Sequence, residues 1–226
     1  MIERVKTGIP GLDELINGGI PSGSTILLSG TSGAGKTIFC SQFIYNGAKS
    51  FNEPGVYLSV EEPIENIRRN MKLFGIDFEP LEKKGKIKLV TFDPLAEDLI
   101  ETLRSAISSI NAKRVCVDSL VGWSLVLEKP RDIRRGLINL RMTLKSFNCT
   151  SILTTEIPAG DTGISRFKVE EFIVDGVIVL NYIKRDRVFE RSVMIWKMRG
   201  TSHSKKIHPF EITEKGIVIY PEEEVI

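Results

Sequence analysis

Residues Gly30 to Thr37 read G-T-S-G-A-G-K-T, directly after the apolar run Thr25 to Ser29, T-I-L-L-S. The eight residues fit the pattern G-x-x-x-x-G-K-[ST], a loop between a buried strand and a helix that wraps phosphate groups. Glycines let successive backbone N–H groups point inward, and the helix that follows adds the positive end of its dipole. The stretch therefore predicts a P-loop with a strand before it and a helix after it.

The residue types in this loop suit a nucleotide polyphosphate. The Lys36 ammonium would neutralise the outer phosphates, which makes it a catalytic candidate, and the Thr37 hydroxyl is a ligand for Mg²⁺. We predict that the whole loop binds nucleotide, through Gly30, Thr31, Ser32, Gly33, Ala34, Gly35, Lys36 and Thr37. The alternative is a glycine turn between a strand and a helix that binds nothing.

Short apolar runs alternate with segments of helical period along most of the chain. Predicted strands after the P-loop are Val56 to Val60, Ile87 to Thr91, Arg114 to Val117 and Thr150 to Thr154. A helix is predicted from Lys36 to Lys49, and Asp93 with Pro94 resemble start signals for the helix that carries Leu99. The pattern favours an α/β fold, with a central, mostly parallel sheet and helices on both faces.

The last fifty residues have a different pattern. Apolar runs at Val177 to Tyr182, Ser192 to Lys197, Phe210 to Ile212 and Ile217 to Tyr220 follow one another without a helical segment between them. Short polar links join them, which favours antiparallel pairing. The sheet is therefore predicted to end in antiparallel strands.

Composition is that of an ordinary globular protein, and we expect residues 1–226 to form a single domain. Hydrophobic residues make up 42% of the chain, and 31 basic against 29 acidic residues give a net charge of +2. This charge creates no global field that attracts nucleic acid or membranes. Three cysteines without a CxxC pair indicate neither a disulfide framework nor a zinc site. No signal region or membrane span is visible, so we expect a cytoplasmic protein without a membrane partner.

Acidic residues follow three of the predicted strands. Asp118 ends R-V-C-V-D, and we expect it to hold Mg²⁺ through a water molecule. At least one of Glu61 and Glu62, after V-Y-L-S-V, is predicted to be the catalytic base. If the strand continued through both, their side chains would point to opposite faces. Each of these residues could instead be a turn former or a helix start.

The strand S-I-L-T-T ends in Thr154, Thr155 and Glu156. We expect these polar residues to lie beside the γ-phosphate, where a side chain can distinguish ATP from ADP. A simple turn at the end of the strand is the alternative.

Together these residues resemble the KaiC-like branch of the RecA superfamily of ATPases, from about Thr7 to Pro221. Other matching segments are T-G-I-P-G-L-D-E-L-I-N-G-G-I-P-S-G (Thr7 to Gly23), V-E-E-F-I-V-D-G-V-I-V-L (Val169 to Leu180) and K-M-R-G-T-S-H (Lys197 to His203). The paired glutamates also match. The resemblance is to the single-domain archaeal type. It implies Mg²⁺-dependent hydrolysis of ATP to ADP between subunits of a ring, commonly a hexamer, with a regulatory or assembly role.

The resemblance also implies roles for the last segment. In such rings the K-x-R pair reaches the neighbour's γ-phosphate, so Lys197 and Arg199 become catalytic residues that act in trans. Ser202 and His203 would lie near the neighbour's nucleotide sugar. Residues two apart on a strand share a face, and a guanidinium can stabilise transition-state charge. From the residues alone, two solvated cations on an edge strand are the alternative.

Two other functions stay open at this point. The first is a DNA-binding ATPase of the recombinase-paralogue type, involved in DNA repair. The segments after Asp118 and Glu156 hold an aromatic residue, cations and glycines: Trp123, Lys129, Arg131, Arg134, Arg135, Gly160, Gly163, Arg166 and Lys168. Such groups bind single strands through stacking and phosphate contacts. The second is a nucleotide-binding switch with negligible turnover, and a protein partner is open in each case.

Overall fold

A computed structural model describes residues 2–124, 126–127, 129–158, 163–185 and 188–225. Its strands are β1 (Arg4–Val5), β2 (Ile20–Pro21), β3 (Thr25–Gly30), β4 (Gly55–Ser59), β5 (Ile87–Thr91), β6 (Arg114–Asp118), β7 (Thr150–Glu156), β8 (Gly176–Arg185), β9 (Val188–Met198), β10 (Ile207–Thr213) and β11 (Gly216–Ile219). Its helices are α1 (Leu12–Leu15), α2 (Lys36–Ser50), α3 (Ile64–Lys72), α4 (Glu79–Lys83), α5 (Leu99–Ile110), α6 (Leu120–Ser124), α7 (Pro130–Ser146) and α8 (Glu170–Ile173).

Most strands join one large sheet in the order β11-β10-β9-β8-β3-β7-β6-β4-β5, while β1 and β2 form a small antiparallel pair. The six strands from β8 to β5 in this order pair in parallel. The other three, β9, β10 and β11, pair antiparallel at one side of the sheet. The predicted mixed sheet is confirmed. The carboxyl ends of β3, β7, β6 and β4 lie side by side, which gathers the segments that follow them.

Helices cover both faces of the sheet, as predicted. On one face, α2 and α3 bury Phe39, Phe43 and Ile67 against the apolar side chains of the strands. On the other, α5, α6 and α7 bury a separate cluster that includes Leu103 and Leu140. Burial of both faces explains why the parallel strands are continuously apolar in sequence. The described residues include no helix with the length and apolarity that a membrane crossing requires.

The predicted start of α5 is wrong. The helix begins at Leu99, and the side chain of Asp98 accepts a hydrogen bond from the backbone N of Glu101 at 2.9 Å. Asp93 lies in the preceding turn, where its side chain accepts from the backbone N of Leu95. Either aspartate could cap a helix, so residue type alone did not distinguish them.

Candidate functional site

The P-loop has the backbone that its glycines predict. Gly33 and Gly35 adopt φ angles of 78° and 101°, in the left-handed region that favours glycine, and α2 begins at Lys36. At Gly30 the constraint is space, since an added Cβ would lie 2.4 Å from the carbonyl oxygen of Leu180. The glycines therefore permit both the tight curl of the loop and its close packing on β8.

The Lys36 side chain is buried within the loop. Its Nζ donates to the carbonyl oxygens of Gly30 at 2.9 Å and Thr31 at 3.0 Å, and lies 4.0 Å from the Glu156 carboxylate. Burial lowers the pKa of Lys36, while the negative charges of Glu156 and Asp118 oppose that shift. The ammonium is thus held among residues at the carboxyl ends of β3, β6 and β7.

Asp118, at the end of β6, accepts hydrogen bonds from three hydroxyl groups. Its Oδ2 accepts from Thr37 at 2.8 Å and from Tyr57 at 2.6 Å. Its Oδ1 accepts from Thr154 at 2.6 Å. Burial and the Asp118 charge raise the pKa of Tyr57 well above its usual value, so this phenol stays a donor. The structure thus brings together Thr37 and Asp118, the two predicted metal ligands.

A cavity of about 630 Å³ opens beside these groups. Its lining residues come from the P-loop, the segments after β4, β6 and β7, and the antiparallel strands: Ser32, Gly33, Gly35, Lys36, Thr37, Ile38, Glu61, Glu62, Phe74, Asp118, Ser119, Glu156, Arg191 and Ile212. Five carboxyl or ammonium side chains, from four separate parts of the sequence, therefore converge on one space.

Glu61 and Glu62 both line the cavity, because β4 ends at Ser59 and the strand does not continue through them. The expectation of opposite faces therefore does not apply. Glu61 Oε1 accepts from Ser119 Oγ at 2.8 Å. Glu62 Oε1 accepts from Asn70 Nδ2 at 3.3 Å. Burial, followed by the charge of Asp118, raises the pKa of Glu62.

The three polar residues at the end of β7 separate onto two faces. Thr154 donates to Asp118 and Glu156 lines the cavity. Thr155 points the other way, and its Oγ1 donates to the buried carboxylate of Glu170 at 3.1 Å. The expectation for Thr155 is wrong, since neighbouring strand residues alternate between faces.

Several residues at the site were not found from the sequence, among them Ser119, Tyr57 and Arg191. Arg191, on β9, lies 4.1 Å from the Tyr182 ring centroid, and its Nη2 donates to the carbonyl oxygen of Gly33 at 3.4 Å. No local pattern identifies it, because it reaches the P-loop only through the pairing of β8 with β3 and β9.

The residues present fit a nucleotide with its metal ion. Thr31 Oγ1 and Arg191 Nε, both at the P-loop, are buried without a hydrogen-bond partner in the described part of the chain. Buried polar atoms need a partner, and phosphate oxygens would accept from both. Thr37 and Asp118 offer the oxygen ligands that Mg²⁺ prefers. Two buried donors without partners and two oxygen-bearing side chains therefore support a site for a nucleotide and its metal ion.

Lys197 and Arg199 lie away from this cavity. Lys197 pairs with Val177 on β8, beside Leu27 of β3, so it sits toward the amino ends of the parallel strands. At about 3.3 Å per residue, this level is roughly 10 Å before Gly30, where the P-loop begins. The pair thus lies away from the P-loop of its own chain.

Both cations contact the segment that precedes β8. Lys197 Nζ donates to the carbonyl oxygens of Glu171 at 2.5 Å and Val174 at 2.9 Å. Arg199, just beyond β9, contacts the Asp175 carboxylate at 3.4 Å and is half-exposed. The two side chains lie close together, as predicted. Lys197 contacts backbone oxygens and Arg199 contacts a carboxylate of their own chain.

Ser202 and His203 line a different cavity, of about 430 Å³, together with Glu14, Asn17 and His208 among others. The backbone N of Ser204 donates to the carbonyl oxygen of Leu15 at 2.8 Å, which attaches this block to the segment that precedes β2. These two predicted nucleotide contacts therefore lie outside the P-loop cavity of their own chain.

The structure removes one of the residues that we considered for DNA binding. Trp123 is only 8% exposed, and its ring packs so closely that a Cβ on Gly136 would lie 2.5 Å from it. It cannot stack on a base, so that expectation is wrong. The cations Lys129, Arg131, Arg134, Arg135, Arg166 and Lys168 are exposed, and Gly160 lies outside the described residues.

Comparison with known sequences gives a consistent result. The family described as "ATPase: KaiC" matches residues 5–224. A UPF0273 protein of Methanocaldococcus jannaschii is 43% identical over 239 residues, which cover 98% of each chain. The circadian clock oscillator protein KaiC of Parathermosynechococcus lividus is 38% identical over 231 residues, which cover 97% of this chain and 43% of the clock protein.

Comparison with solved structures agrees. A KaiC-like protein from the hyperthermophilic archaeon Pyrococcus horikoshii superposes with a TM-score of 0.90 at 47% identity. The match covers 98% of this chain and 100% of that protein. With the P-loop, the sheet order and the cavity, these matches lead to one conclusion: the chain belongs to the KaiC family of ATP-binding, RecA-like ATPases.

Proposed function

We propose that this chain hydrolyses Mg²⁺-ATP at the interfaces of a ring of identical subunits, a hexamer by analogy with its family, in a regulatory or assembly role. The observation that carries the proposal is the separation of two sets of charged residues. Lys36, Glu61, Glu62 and Asp118 surround the P-loop cavity. Lys197 and Arg199 lie toward the opposite ends of the strands, away from the P-loop cavity of their own chain, which supports a role at the nucleotide of another subunit.

The P-loop end would bind the phosphates. The backbone N–H groups of the loop and the Lys36 ammonium hold the β- and γ-phosphates. The Thr37 hydroxyl would ligate the metal ion, and Asp118 would hold it through water. When bound, Mg²⁺ would supply positive charge that offsets the charge developing on the phosphates. Hydrogen bonds from Tyr57 and Thr154 keep the Asp118 carboxylate in place for this task.

The pair Glu61 and Glu62 would activate the attacking water. A general base has to lie within reach of the reaction centre and remain ionised, with a pKa close to the working pH. Both carboxylates line the cavity, Glu61 on Ser119 and Glu62 on Asn70. Burial and the Asp118 charge raise the pKa of Glu62, so its carboxylate is a stronger base than an ordinary glutamate. At least one of the two accepts the proton that leaves the water.

The residues at the amino ends of the parallel strands would act on the nucleotide of a neighbouring subunit. The positive charges of Lys197 and Arg199 stabilise the transferring phosphoryl group, as an arginine finger does. Ser202 and His203 would contact the sugar of the same nucleotide. Exposed aromatic residues accompany the pair: Trp196 precedes Lys197 and is 54% exposed, and Phe172, whose carbonyl oxygen faces Arg199, is 67% exposed. Tryptophan, phenylalanine and arginine are common in subunit interfaces.

Phosphate release tests the proposed hydrolysis. The protein should release phosphate from ATP with Mg²⁺ and should stop when the metal is chelated. If ATP binds with measurable heat but no phosphate is released, the chain is a nucleotide-binding switch and the proposed activity is wrong. If neither heat nor phosphate is detected, nucleotide binding itself is wrong.

Mixed rings test the proposed action in trans. Lys36→Ala subunits keep Arg199 but have a defective P-loop, and Arg199→Ala subunits have the reverse defect. Each variant alone should be inactive. In a mixture, sites that combine the intact P-loop of one with the intact arginine of the other should restore activity. If both variants form rings and the mixture remains inactive, Arg199 acts within its own subunit or not at all.

A further inference from the structure

We propose that Asp175 is a positioning residue for Arg199, and that the segment Glu171–Asp175 holds both cations in the orientation that a neighbouring subunit requires. The inference rests on the proposed function, because it concerns the residues offered in trans. Asp175 belongs to the segment V-E-E-F-I-V-D-G, whose sequence matched the family pattern but suggested no role for this aspartate.

The Asp175 carboxylate is fixed from two sides by groups other than Arg199. Its Oδ2 accepts from the backbone N of Thr25 at 3.1 Å, at the start of β3. Arg141, on α7, donates to Oδ1 at 2.7 Å and to Oδ2 at 3.4 Å. The Asp175 side chain is only 18% exposed. A carboxylate held by a central strand and a long helix has a fixed position in the fold.

Arg199 meets this fixed carboxylate with part of its guanidinium. Its Nη1 lies 3.4 Å from Asp175 Oδ1, and its backbone N donates to the carbonyl oxygen of Asp175 at 2.9 Å. The side chain remains 54% exposed. A guanidinium has five N–H donors, so one contact can orient it while other donors stay available to a phosphate. Orientation before binding reduces the entropy lost when the interface forms.

Lys197 shows why a carboxylate is needed here. Burial lowers the pKa of Lys197, the neighbouring charge of Arg199 lowers it further, and Asp175 opposes the effect. Lys197 is held by the carbonyl oxygens of Glu171 and Val174. Asp175 is the negative side chain that contacts Arg199 in the described part of the chain. Its negative charge therefore offsets the repulsion between the two neighbouring cations.

Complementation in mixed rings separates positioning from a general defect in folding. Asp175→Asn keeps the shape and an acceptor for Thr25 but removes the charge that orients Arg199. We expect kcat to fall about 10- to 100-fold, as for a misplaced catalytic group. Mixing these subunits with Lys36→Ala subunits should restore activity, because the Lys36→Ala subunit supplies a correctly oriented Arg199.

The outcomes are distinguishable from failure of the proposed function. The reference is the mixture of Arg199→Ala with Lys36→Ala. If the reference recovers activity and the Asp175→Asn mixture does not, Asp175 acts in its own subunit and the inference is overturned. If the reference itself fails, the action of Arg199 in trans is wrong, and with it the premise of this inference.

A double variant gives a second test that does not depend on mixing. If Asp175 acts through Arg199, Asp175→Asn/Arg199→Ala should be no slower than Arg199→Ala alone. A further fall of tenfold in the double variant would show an independent role and overturn the inference. If Asp175→Asn does not fold, Asp175→Glu keeps the charge but displaces it, and the same complementation by Lys36→Ala is expected.

Discussion

The two ends of the parallel strands present charge in different ways. At the carboxyl end, Lys36 donates to carbonyl oxygens of the P-loop and Thr37 donates to Asp118, and all three line a shared cavity. At the amino end, Lys197 and Arg199 are held by the segment before β8, and Arg199 is half-exposed. The first arrangement surrounds a space within the chain, whereas the second leaves Arg199 half-exposed at the surface.

The difference separates a site that binds a ligand within the chain from a surface that suits contact with a partner. Desolvated charges around a cavity are suited to a ligand that the chain itself surrounds. A half-exposed guanidinium beside exposed aromatic residues is suited to a partner surface. Under the proposed function, changes at the carboxyl end should therefore act within the subunit, and changes at the amino end should act on its neighbour.

The largest effect is expected at Lys36. Lys36→Ala removes the buried ammonium from the P-loop, so phosphate release should fall at least about 10³-fold, and the heat of ATP binding should weaken. Lys49→Ala, at an exposed lysine of the same helix, is the matched control and should behave like the parent. Equal activity of both variants would contradict the assignment of the carboxyl end as the nucleotide site.

The paired glutamates come next. Glu61→Gln/Glu62→Gln keeps the shape of the cavity but removes the proposed base, so kcat should fall about 10²- to 10³-fold while ATP binding is retained. Turnover under saturating ATP and calorimetry measure the two quantities. Glu65→Gln, at an exposed position on α3, serves as the control. The single variants assign the base, and unchanged turnover in the pair would remove both from catalysis.

At the amino end, stability should depend on the charge of Asp175. Burial alone raises the pKa of Asp175, but hydrogen bonds from Arg141 and the backbone N of Thr25, with nearby positive charges, outweigh it and lower the pKa. Its ionised form therefore stabilises the folded state above the unfolded pKa, and this contribution is lost as the pH falls through the folded pKa.

Urea unfolding measures this effect. At pH 7, Asp175→Asn should reduce the free energy of unfolding by about 2 kcal/mol, the usual range for hydrogen bonds to charged groups. The difference from the parent should shrink as the pH falls below about 4, where unfolded aspartate is protonated. Asp77→Asn, at an exposed carboxylate, should change stability little. A difference that stays constant from pH 7 to pH 3 would show that charge is not the cause.

The smallest effects compare the two faces of β7. Thr154→Val removes a donor to Asp118 and should slow turnover about tenfold, equivalent to ~1.4 kcal/mol. Thr155→Val, one residue along, should leave turnover unchanged but lower the free energy of unfolding by about 1 kcal/mol, because Glu170 loses a hydrogen bond. Slowed turnover in Thr155→Val would show that the two faces are not independent.

Local patterns predicted the elements well but not their arrangement. The alternation of apolar runs placed β5 correctly and located the body of α5, although the start signal for α5 was assigned to the wrong aspartate. Short elements such as α8, of four residues, have no periodicity that a sequence can reveal. The parallel pairing of β3 with β8 joins residues about 150 positions apart, so no local signal could indicate it.

The candidate site divides in the same way. The P-loop, Asp118 and Glu156 follow from strand ends and from residue chemistry. Tyr57 and Arg191 do not, because each reaches the site only through strand pairing. Trp123 was expected at the surface, but its ring lies in the core against Gly136. A lone aromatic residue near cations has the same sequence pattern whether it is exposed or buried.

The sequence by itself determined the phosphate loop, since backbone curl, helix start, lysine and hydroxyl all lie within eight residues. It also determined the alternation that leads to a parallel sheet, because hydrophobic periodicity is a local property. Only the tertiary structure decided which carboxylates face the loop, that Thr155 turns away, and that Lys197 and Arg199 lie at the other end. Those outcomes depend on strand order and register, which arise from contacts between residues far apart along the chain.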